Sequence, residues 1–303
     1  MKKNRLGTSD LYVSEIGLGC MSLSDDHSAN QDIIHEALDR GVNFFDTADL
    51  YQFGFNEESV GKALKGKRDQ ILLSSKGGNE WGDGIDGWQW NPRKKYLKEA
   101  LKNSLRRLNV DYLDLYQLHG GTIDDPIDEV IETFEELSQE GTIRYYGISS
   151  IRPNVIKQFA EKSNMVSVMM QYSLLDRRPE EWFSMFDKHG LSIIARGPVA
   201  KGLLTDQFQR KLHSDGYLSY SETELTQVLP QLKSLALEQG MTLQQMALRY
   251  VIDQPAVATA ITGASQSSQL KDNVQSANAV QLSDELVKEI QSIVKLSVYD
   301  KHR

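Results

Sequence analysis

The feature that most limits what this chain can fold into is a regular alternation of short strand-like runs with longer helical patterns. Between the runs, apolar residues recur at i, i+3 and i+4, as in the segment 93–108, where Asn91 and Pro92 are predicted to form the N-cap and first turn. Eight βα units predict an α/β fold closed into a (β/α)8 TIM barrel rather than an open, doubly wound sheet. The predicted strands lie near 16–20, 42–46, 70–76, 112–118, 143–149, 166–171, 191–196 and 257–262.

Several segments lie outside this repeat. Residues 5–13 predict an N-terminal β-hairpin that plugs the bottom of the barrel, and two C-terminal helices are predicted near 266–277 and 283–295. Long loops, 77–91 and 205–221, follow the third and seventh strands, and loops of this length are usually functional or disordered. With 40% hydrophobic residues the chain can build a sizeable core, so we expect one barrel domain over 1–303.

Composition excludes several function classes. A net charge of −8, with Lys and Arg spread along the chain, argues against a nucleic-acid or anionic-membrane partner. Cys20 is the only cysteine, which allows no internal disulfide and fits a reducing compartment. The N-terminus lacks the apolar core of a signal peptide, and no apolar run reaches the roughly 18 residues of a membrane span. We therefore expect a cytoplasmic protein.

Four reactive side chains lie at or just beyond the ends of successive predicted strands. Asp46 closes the second strand and Tyr51 follows it, Lys76 closes the third, and His119 follows the fourth. The carboxyl ends of barrel strands are where such folds build their active sites. An acid, a phenol, an amine and an imidazole at that end predict an enzyme. The remaining histidines show no metal-ligand spacing, so we predict no metal site.

These residues resemble the aldo-keto reductase superfamily. The family's first signature is matched by Asp-Thr-Ala-x-x-Tyr at 46–51, continuing through Gly54, Asn56 and Glu57 to Gly61, and Lys76 and His119 complete its catalytic four. The segment 263–273 is similar to that of the bacterial and channel-β-subunit branch. Membership would imply hydride transfer between a nicotinamide cofactor and a carbonyl group.

Carbonyl reduction needs a hydride at carbon and a proton at oxygen. A phenol with an ordinary pKa of about 10 is a poor acid near neutrality, but an adjacent ammonium stabilises the phenolate, and a carboxylate can hold that ammonium in place. Tyr51 as general acid, Lys76 as its tuning cation and Asp46 as the anchor fit this requirement. His119 would orient the carbonyl oxygen through a second hydrogen bond.

The resemblance also implies an extended NADPH/NADP+ cofactor across the barrel mouth. Ser149 and Gln171 would hold its carboxamide, the loop 197–202 its pyrophosphate, and Ser265, Gln269 and Asn273 its adenosine end. Arg196 stands where the family usually stacks an aromatic residue, and we expect its cation to disfavour oxidised cofactor. The full set of predicted cofactor residues is Gly19, Cys20, Met21, Ser149, Ser150, Gln171, Arg196, Gly197, Pro198, Val199, Ala200, Lys201, Gly202, Gly263, Ser265, Gln269, Asp272 and Asn273.

Trp81, Trp88 and Trp90 cluster in the loop after Lys76 and are predicted to line an apolar substrate wall. The alternative is that they pin their own loop. Lys201, Arg210 and Lys211 could meet a 2′-phosphate, or could form a solvated basic face.

The predicted function is NADPH-dependent reduction of aldehydes or activated ketones, with a role in the detoxification of reactive carbonyls such as lipid-derived aldehydes. One alternative is a polyol or sugar dehydrogenase working in the oxidative direction. Another is a cofactor-holding regulatory protein like the channel β subunits, although His119 speaks for catalysis because those subunits carry another residue there. The partner is then a small-molecule carbonyl substrate, and we expect a monomer, with an oligomer as the alternative.

Overall fold

The computed structural model describes residues 1–303 and is built on twelve strands. Eight of them, β3, β4, β5 and β8–β12, close into a barrel in that order, and every neighbouring pair is parallel. The predicted TIM barrel is confirmed. The strands are β1 (Lys3–Arg5), β2 (Tyr12–Ser14), β3 (Ile16–Gly19), β4 (Phe44–Asp46), β5 (Leu72–Gly77), β6 (Asn79–Glu80), β7 (Gln89–Trp90), β8 (Leu113–Leu118), β9 (Ile143–Ser149), β10 (Ser167–Gln171), β11 (Ser192–Arg196) and β12 (Val257–Gly263).

Ten helices connect and surround these strands. Their buried stripes follow the predicted spacing, as in the third helix, where Leu97, Ala100 and Leu101 face the barrel. None of the helices is both long enough and apolar enough to cross a bilayer. The helices are α1 (His27–Asp39), α2 (Phe55–Ala63), α3 (Lys94–Leu108), α4 (Ile127–Gln139), α5 (Pro153–Lys162), α6 (Phe183–Lys188), α7 (Glu222–Glu238), α8 (Leu243–Ile252), α9 (Ser267–Ser276) and α10 (Asp284–Ile293).

The N-terminal hairpin β1–β2 closes the amino-terminal end of the barrel, as predicted. The Asn4 amide donates to the carbonyl of Ala258 at the start of β12, and the Gly7 N–H donates to Ser192 Oγ at the start of β11. Leu6 and Leu11, from the turn, are fully buried in a cluster with side chains from the barrel interior. Because this end is sealed, the opposite end is left to build a site.

Long connections leave the carboxyl-terminal end of the barrel. The loop after β5 folds back as the small antiparallel ribbon β6–β7, and the segment after β11 contains a short 3-10 turn at Phe208–Lys211. The two predicted C-terminal helices are present as α9 and α10. The predicted N-cap at Asn91 is wrong. Arg93 occupies that position without a side-chain cap, and the Asn91 side chain, two residues before it, instead accepts from the Arg93 N–H at 3.1 Å.

Candidate active site

The structure brings the four predicted catalytic residues together. Asp46 ends β4, Lys76 lies near the end of β5, His119 directly follows β8, and these three strands are neighbours in the barrel. Tyr51 begins the 3-10 turn that carries the chain from β4 into α2. Asp46, Tyr51 and His119 line one cavity of about 740 Å³, and Lys76 lies fully buried beneath its floor.

The Lys76 ammonium has one acceptor for each of its three N–H groups. Nζ donates to Asp46 Oδ2 at 2.6 Å, to the carbonyl of Thr47 at 2.7 Å and to Tyr51 Oη at 3.3 Å. A neutral amine would have only two N–H groups for these three oxygens, so the geometry selects the charged form. The cation is thereby held against the phenol of Tyr51, as the sequence predicts.

The charges of this buried pair follow from two opposing effects. Burial alone would lower the pKa of Lys76, but the Asp46 carboxylate and Tyr51 offset it, and the pKa is raised above its ordinary value. Burial raises the pKa of Asp46, while Lys76 and the Gln117 amide, 3.3 Å from Oδ1, oppose the rise. The ammonium therefore stays charged over the pH range in which the enzyme would work.

His119 is held neutral beside the phenol. Burial, reinforced by the cations of Lys76 and Arg196, lowers the pKa of His119 to about 3. Its ring meets the Tyr51 ring edge-on, with centroids 5.8 Å apart. Nδ1 is buried with no hydrogen-bond partner, so a proton there would be unsatisfied. Nε2 is the ring nitrogen left to contact a ligand, and in the tautomer protonated there the neutral ring is a hydrogen-bond donor.

Other residues of the first signature hold the loop that carries Tyr51. Asn56 accepts from Thr47 Oγ1 at 2.7 Å and donates to the carbonyl of Cys20 at 2.8 Å. Gly54 has φ +89°, a left-handed conformation that glycine adopts without strain. At Gly61 a Cβ would lie 2.5 Å from the backbone oxygen of Leu108, so only glycine lets α2 pack this closely on α3.

The cavity extends from the catalytic residues to the loops after β11 and β12. Of the eighteen predicted cofactor residues, sixteen line it, and only Cys20 and Ala200 do not. The sixteen are Gly19, Met21, Ser149, Ser150, Gln171, Arg196, Gly197, Pro198, Val199, Lys201, Gly202, Gly263, Ser265, Gln269, Asp272 and Asn273.

Cys20 and Ala200 are fully buried, with their side chains in the core behind the cavity wall. Burial, with a smaller contribution from Asp46, raises the pKa of the Cys20 thiol, which keeps it a neutral packing group. Neither residue is exposed to the cavity, so a cofactor contact by Cys20 or Ala200 is not supported by their positions.

Arg196 forms no ion pair with a carboxylate. Its Nη1 donates to Gln171 Oε1 at 3.1 Å, and Gln171 Nε2 donates to Tyr217 Oη at 3.0 Å. This chain of hydrogen bonds crosses the cavity wall from β11 through β10 to the long segment after β11. Ser149, at the end of the neighbouring strand β9, also lines the cavity, where its hydroxyl is available to a ligand.

The far end of the cavity is polar and cationic. Lys201 and Lys211 line it, and neither lies within ion-pair distance of a carboxylate. Gln269 accepts from the Ser265 N–H at 2.9 Å, and Asn273 accepts from the Gln244 amide at 2.8 Å. Two unpaired ammonium groups beside fixed amides form a region suited to an anion such as a phosphate.

A family model described as the aldo/keto reductase family matches residues 15–295, nearly the whole barrel. This chain is an aldo-keto reductase. An uncharacterized oxidoreductase of Bacillus subtilis, YqkF, is 55% identical over the full length of both chains. The holo form of aldo-keto reductase AKR11C1 from Bacillus halodurans is 54% identical, with a TM-score of 0.95 over 100% of this chain and 99% of that one. The NADH-specific methylglyoxal reductase of Escherichia coli is 28% identical over 94% of this chain and 95% of its own.

In this aldo-keto reductase, none of the three predicted substrate tryptophans lines the cavity. Trp90 donates from Nε1 to Asp125 at 2.9 Å, and Trp81 packs edge-on against Phe53. Trp88 is 52% exposed. Trp81 and Trp90 thus pin the loop to its surroundings, the alternative that the sequence leaves open, and a substrate contact by the three remains a prediction.

Sequence reasoning missed several lining residues of this aldo-keto reductase, including Ser22, Gly120, Ile151, Arg152, Tyr217 and Gln244. Arg152 could have been predicted from the sequence, because it lies three residues beyond the end of β9, at the same end of the barrel as His119, which directly follows β8. Tyr217 and Gln244 do not follow a strand end in this way, so the sequence did not point to them. They come from a long loop and a helix that only the folded chain brings to the cavity.

Proposed function

We propose that this aldo-keto reductase uses NADPH to reduce aldehydes or activated ketones to alcohols. The observation that carries the proposal is the Lys76 ammonium, held by three acceptors against Tyr51 and beside a neutral His119. A cation that stabilises a phenolate, next to a neutral hydrogen-bond donor, is what proton delivery to a carbonyl oxygen requires.

Each residue then has one task. Tyr51 donates its hydroxyl proton to the carbonyl oxygen, and the Lys76 ammonium stabilises the phenolate that remains. His119 donates from Nε2 to the same oxygen and so orients the carbonyl. Asp46 holds Lys76 in place. When bound, the reduced nicotinamide supplies the hydride that reaches the carbonyl carbon.

The side chains and backbone groups that line the cavity are chemically suited to such a cofactor. The free hydroxyl of Ser149 and the amide of Gln171 suit the carboxamide, and the backbone of the Gly197–Gly202 loop suits the pyrophosphate. Lys201 and Lys211 suit a 2′-phosphate, which favours NADPH over NADH. The Escherichia coli relative is an NADH-specific methylglyoxal reductase, so both nucleotides are compared in the test below.

Arg196 supports the reductive direction. Its guanidinium lines the cavity and hydrogen-bonds to Gln171 rather than to a carboxylate, so its charge is not cancelled by an ion pair. The oxidised nicotinamide ring is a cation and the reduced ring is neutral. A neighbouring cation therefore weakens binding of the oxidised form, which favours its release after reduction and opposes alcohol oxidation.

We further propose that the substrates are reactive aldehydes and that the enzyme acts in their detoxification.

The test is to titrate NADPH and NADH by intrinsic fluorescence and then to follow reduced-nicotinamide absorbance with a panel of aldehydes. We expect saturable NADPH binding and turnover that falls about 10²- to 10⁴-fold in Tyr51→Phe, the range for loss of one general acid. Tyr12→Phe, at an exposed tyrosine on the sealed end of the barrel, is the matched control. Tight cofactor binding without turnover of any carbonyl would instead indicate a sensing or regulatory protein.

A further inference from the structure

Two arginines face the cavity without an acidic partner. Arg196 donates only to Gln171, and Arg152 donates from Nη1 to the carbonyl of Gly121 at 2.6 Å. Neither lies within 4.0 Å of a carboxylate, although the protein as a whole carries a charge of −8. Both are partly buried, and a cation removed from water without a counter-ion is costly. Each therefore marks a place where a bound anion would be stabilised.

The charges of the side chains that line the cavity also favour an anionic ligand. Four cationic side chains, Arg152, Arg196, Lys201 and Lys211, line the cavity against two carboxylates, Asp46 and Asp272. The charge of Asp46 is already balanced by Lys76. A cavity with this excess of positive charge, on an acidic protein, selects anionic ligands and raises their local concentration.

Arg152 lies away from the region assigned to the cofactor phosphates, at the end of the cavity where Ser149 and Ser150 are predicted to meet the nicotinamide. The phosphate region follows β11 and β12, whereas Arg152 follows β9, donates its N–H to Ser150 Oγ and is hydrogen-bonded to the loop after β8. In the ring of eight strands, β8 stands opposite β12. Lys201 and Lys211, at the far end of the cavity, can pair with the cofactor phosphates. Arg152 therefore remains available to a different anion.

Arg152 is close to the reacting carbonyl. The oxygen it contacts belongs to Gly121, two residues after His119, and two residues span at most about 7 Å. One small molecule can therefore reach both His119 and the Arg152 guanidinium. Ile151, also in the cavity wall and 44% exposed, provides an apolar surface beside the guanidinium for the carbon skeleton in between.

We propose that the carbonyl substrate of this enzyme carries an anionic group, a carboxylate or a phosphate, that binds to Arg152. This rests on the proposed carbonyl-reductase function and narrows its substrate class. The hydrogen bond to Gly121 fixes one edge of the planar guanidinium and leaves its other N–H groups to form the paired contacts that both anions accept. Arg152 is then a specificity residue, while Tyr51 and His119 act on the carbonyl.

The first measurement compares aldehydes that carry an anionic group with neutral counterparts. The carboxylate pair is para-formylbenzoate and its methyl ester, and the phosphate pair is glyceraldehyde phosphate and glyceraldehyde. We expect the wild type to favour the anion of at least one pair in kcat/KM by about tenfold or more, the value of one charged hydrogen bond. The preference should shrink as ionic strength rises, because exposed charge interactions are screened.

Arg152→Gln should reduce the ratio of anionic to neutral kcat/KM about tenfold, chiefly through KM, and Arg152→Lys should restore part of it. Arg106→Gln, at an exposed arginine on α3 outside the cavity, makes the same charge change and should leave the ratio as in the wild type. The proposal is overturned if no pair shows a preference, or if Arg152→Gln lowers both members of a pair equally. It is also overturned if Arg196→Gln, rather than Arg152→Gln, removes the preference.

A binding measurement separates this proposal from the catalytic one. Benzoate and benzamide are titrated calorimetrically into the protein loaded with oxidised cofactor. We expect benzoate to bind more tightly than benzamide in the wild type, and the difference to vanish in Arg152→Gln. If neutral aldehydes are turned over but benzoate shows no such difference, the anion site fails and the reductase stands. If the benzoate difference is present but no aldehyde is turned over, the reductase function fails and the anion site stands.

Discussion

Asp49 offers the sharpest test of the electrostatics around the active site. It lies two residues before Tyr51, its N–H donates to the carbonyl of Lys76, and only 1% of its surface is exposed. Its Oδ1 is buried without a hydrogen-bond partner. The nearby cation, Arg107, is already paired with Glu57, with nitrogen-to-oxygen distances of 2.7 Å. If Asp49 were ionised, it would be a second buried carboxylate near Arg107, whose charge is already balanced by Glu57.

Burial, together with repulsion from Glu57, raises the pKa of Asp49 to about 8. In the unfolded chain an aspartate titrates near pH 4. Because the folded pKa is the higher one, the stability that this group contributes is fully present below about pH 4 and is lost as pH rises towards 8. A single proton changes stability by about 1.4 kcal/mol per pH unit between these limits, so about 4 kcal/mol is lost from pH 5 to pH 8.

Asp49→Asn replaces the carboxyl group with a neutral amide of similar shape. We expect the free energy of unfolding of this variant to exceed that of the wild type by an amount that grows by about 4 kcal/mol from pH 5 to pH 8 and then levels off. Urea denaturation of both proteins at each pH unit from 5 to 9 measures it. Asp83→Asn, at an exposed aspartate without an ion pair, is the control. A difference between Asp49→Asn and the wild type that is the same at every pH would refute the reasoning.

Four further predictions concern other contacts. Lys76→Met leaves Asp46 buried without its cation, so we expect a loss of about 3–5 kcal/mol in urea denaturation together with loss of turnover; a fully stable variant would contradict the assigned ion pair. Arg196→Tyr should tighten binding of NADP+ relative to NADPH in fluorescence titrations, and an unchanged ratio would rule out a charge effect at the ring. Trp90→Phe should cost about 1 kcal/mol of stability through the lost hydrogen bond to Asp125, with cofactor affinity as in the wild type. Trp88→Ala should raise KM for aldehydes only if that exposed ring contacts substrate, which steady-state kinetics decides.

Much of the site could be predicted from the sequence because its residues lie at strand ends. In a parallel barrel every strand points the same way, so residues that close successive strands must converge at one rim. Asp46, Lys76 and His119 obey this rule, and Tyr51 follows from the short turn after β4. The positions of these four residues relative to the strand ends were enough to predict that they lie close together.

The directions of side chains in the loops were harder to predict from the sequence. Met21 and Lys201 were predicted as cavity residues and line it, whereas Cys20 and Ala200, their neighbours in sequence, point into the core. Adjacent residues in an irregular turn face different ways, and which one faces the ligand depends on what packs behind the turn. The loop after β5 is similar, because Asp125 and Phe53, which hold its tryptophans, come from two other loops.

The sequence by itself determined the barrel, the sealed end and the convergence of the four candidate catalytic residues, since periodicity and strand polarity are local properties that repeat along the chain. Only the tertiary structure decided how charge is distributed around the cavity. The excess of unpaired arginine and lysine, the buried Asp49 beside Glu57 and the neutral His119 all depend on residues far apart in sequence. Electrostatic free energies depend on distance and burial, and neither is fixed until the helices and loops pack onto the strands.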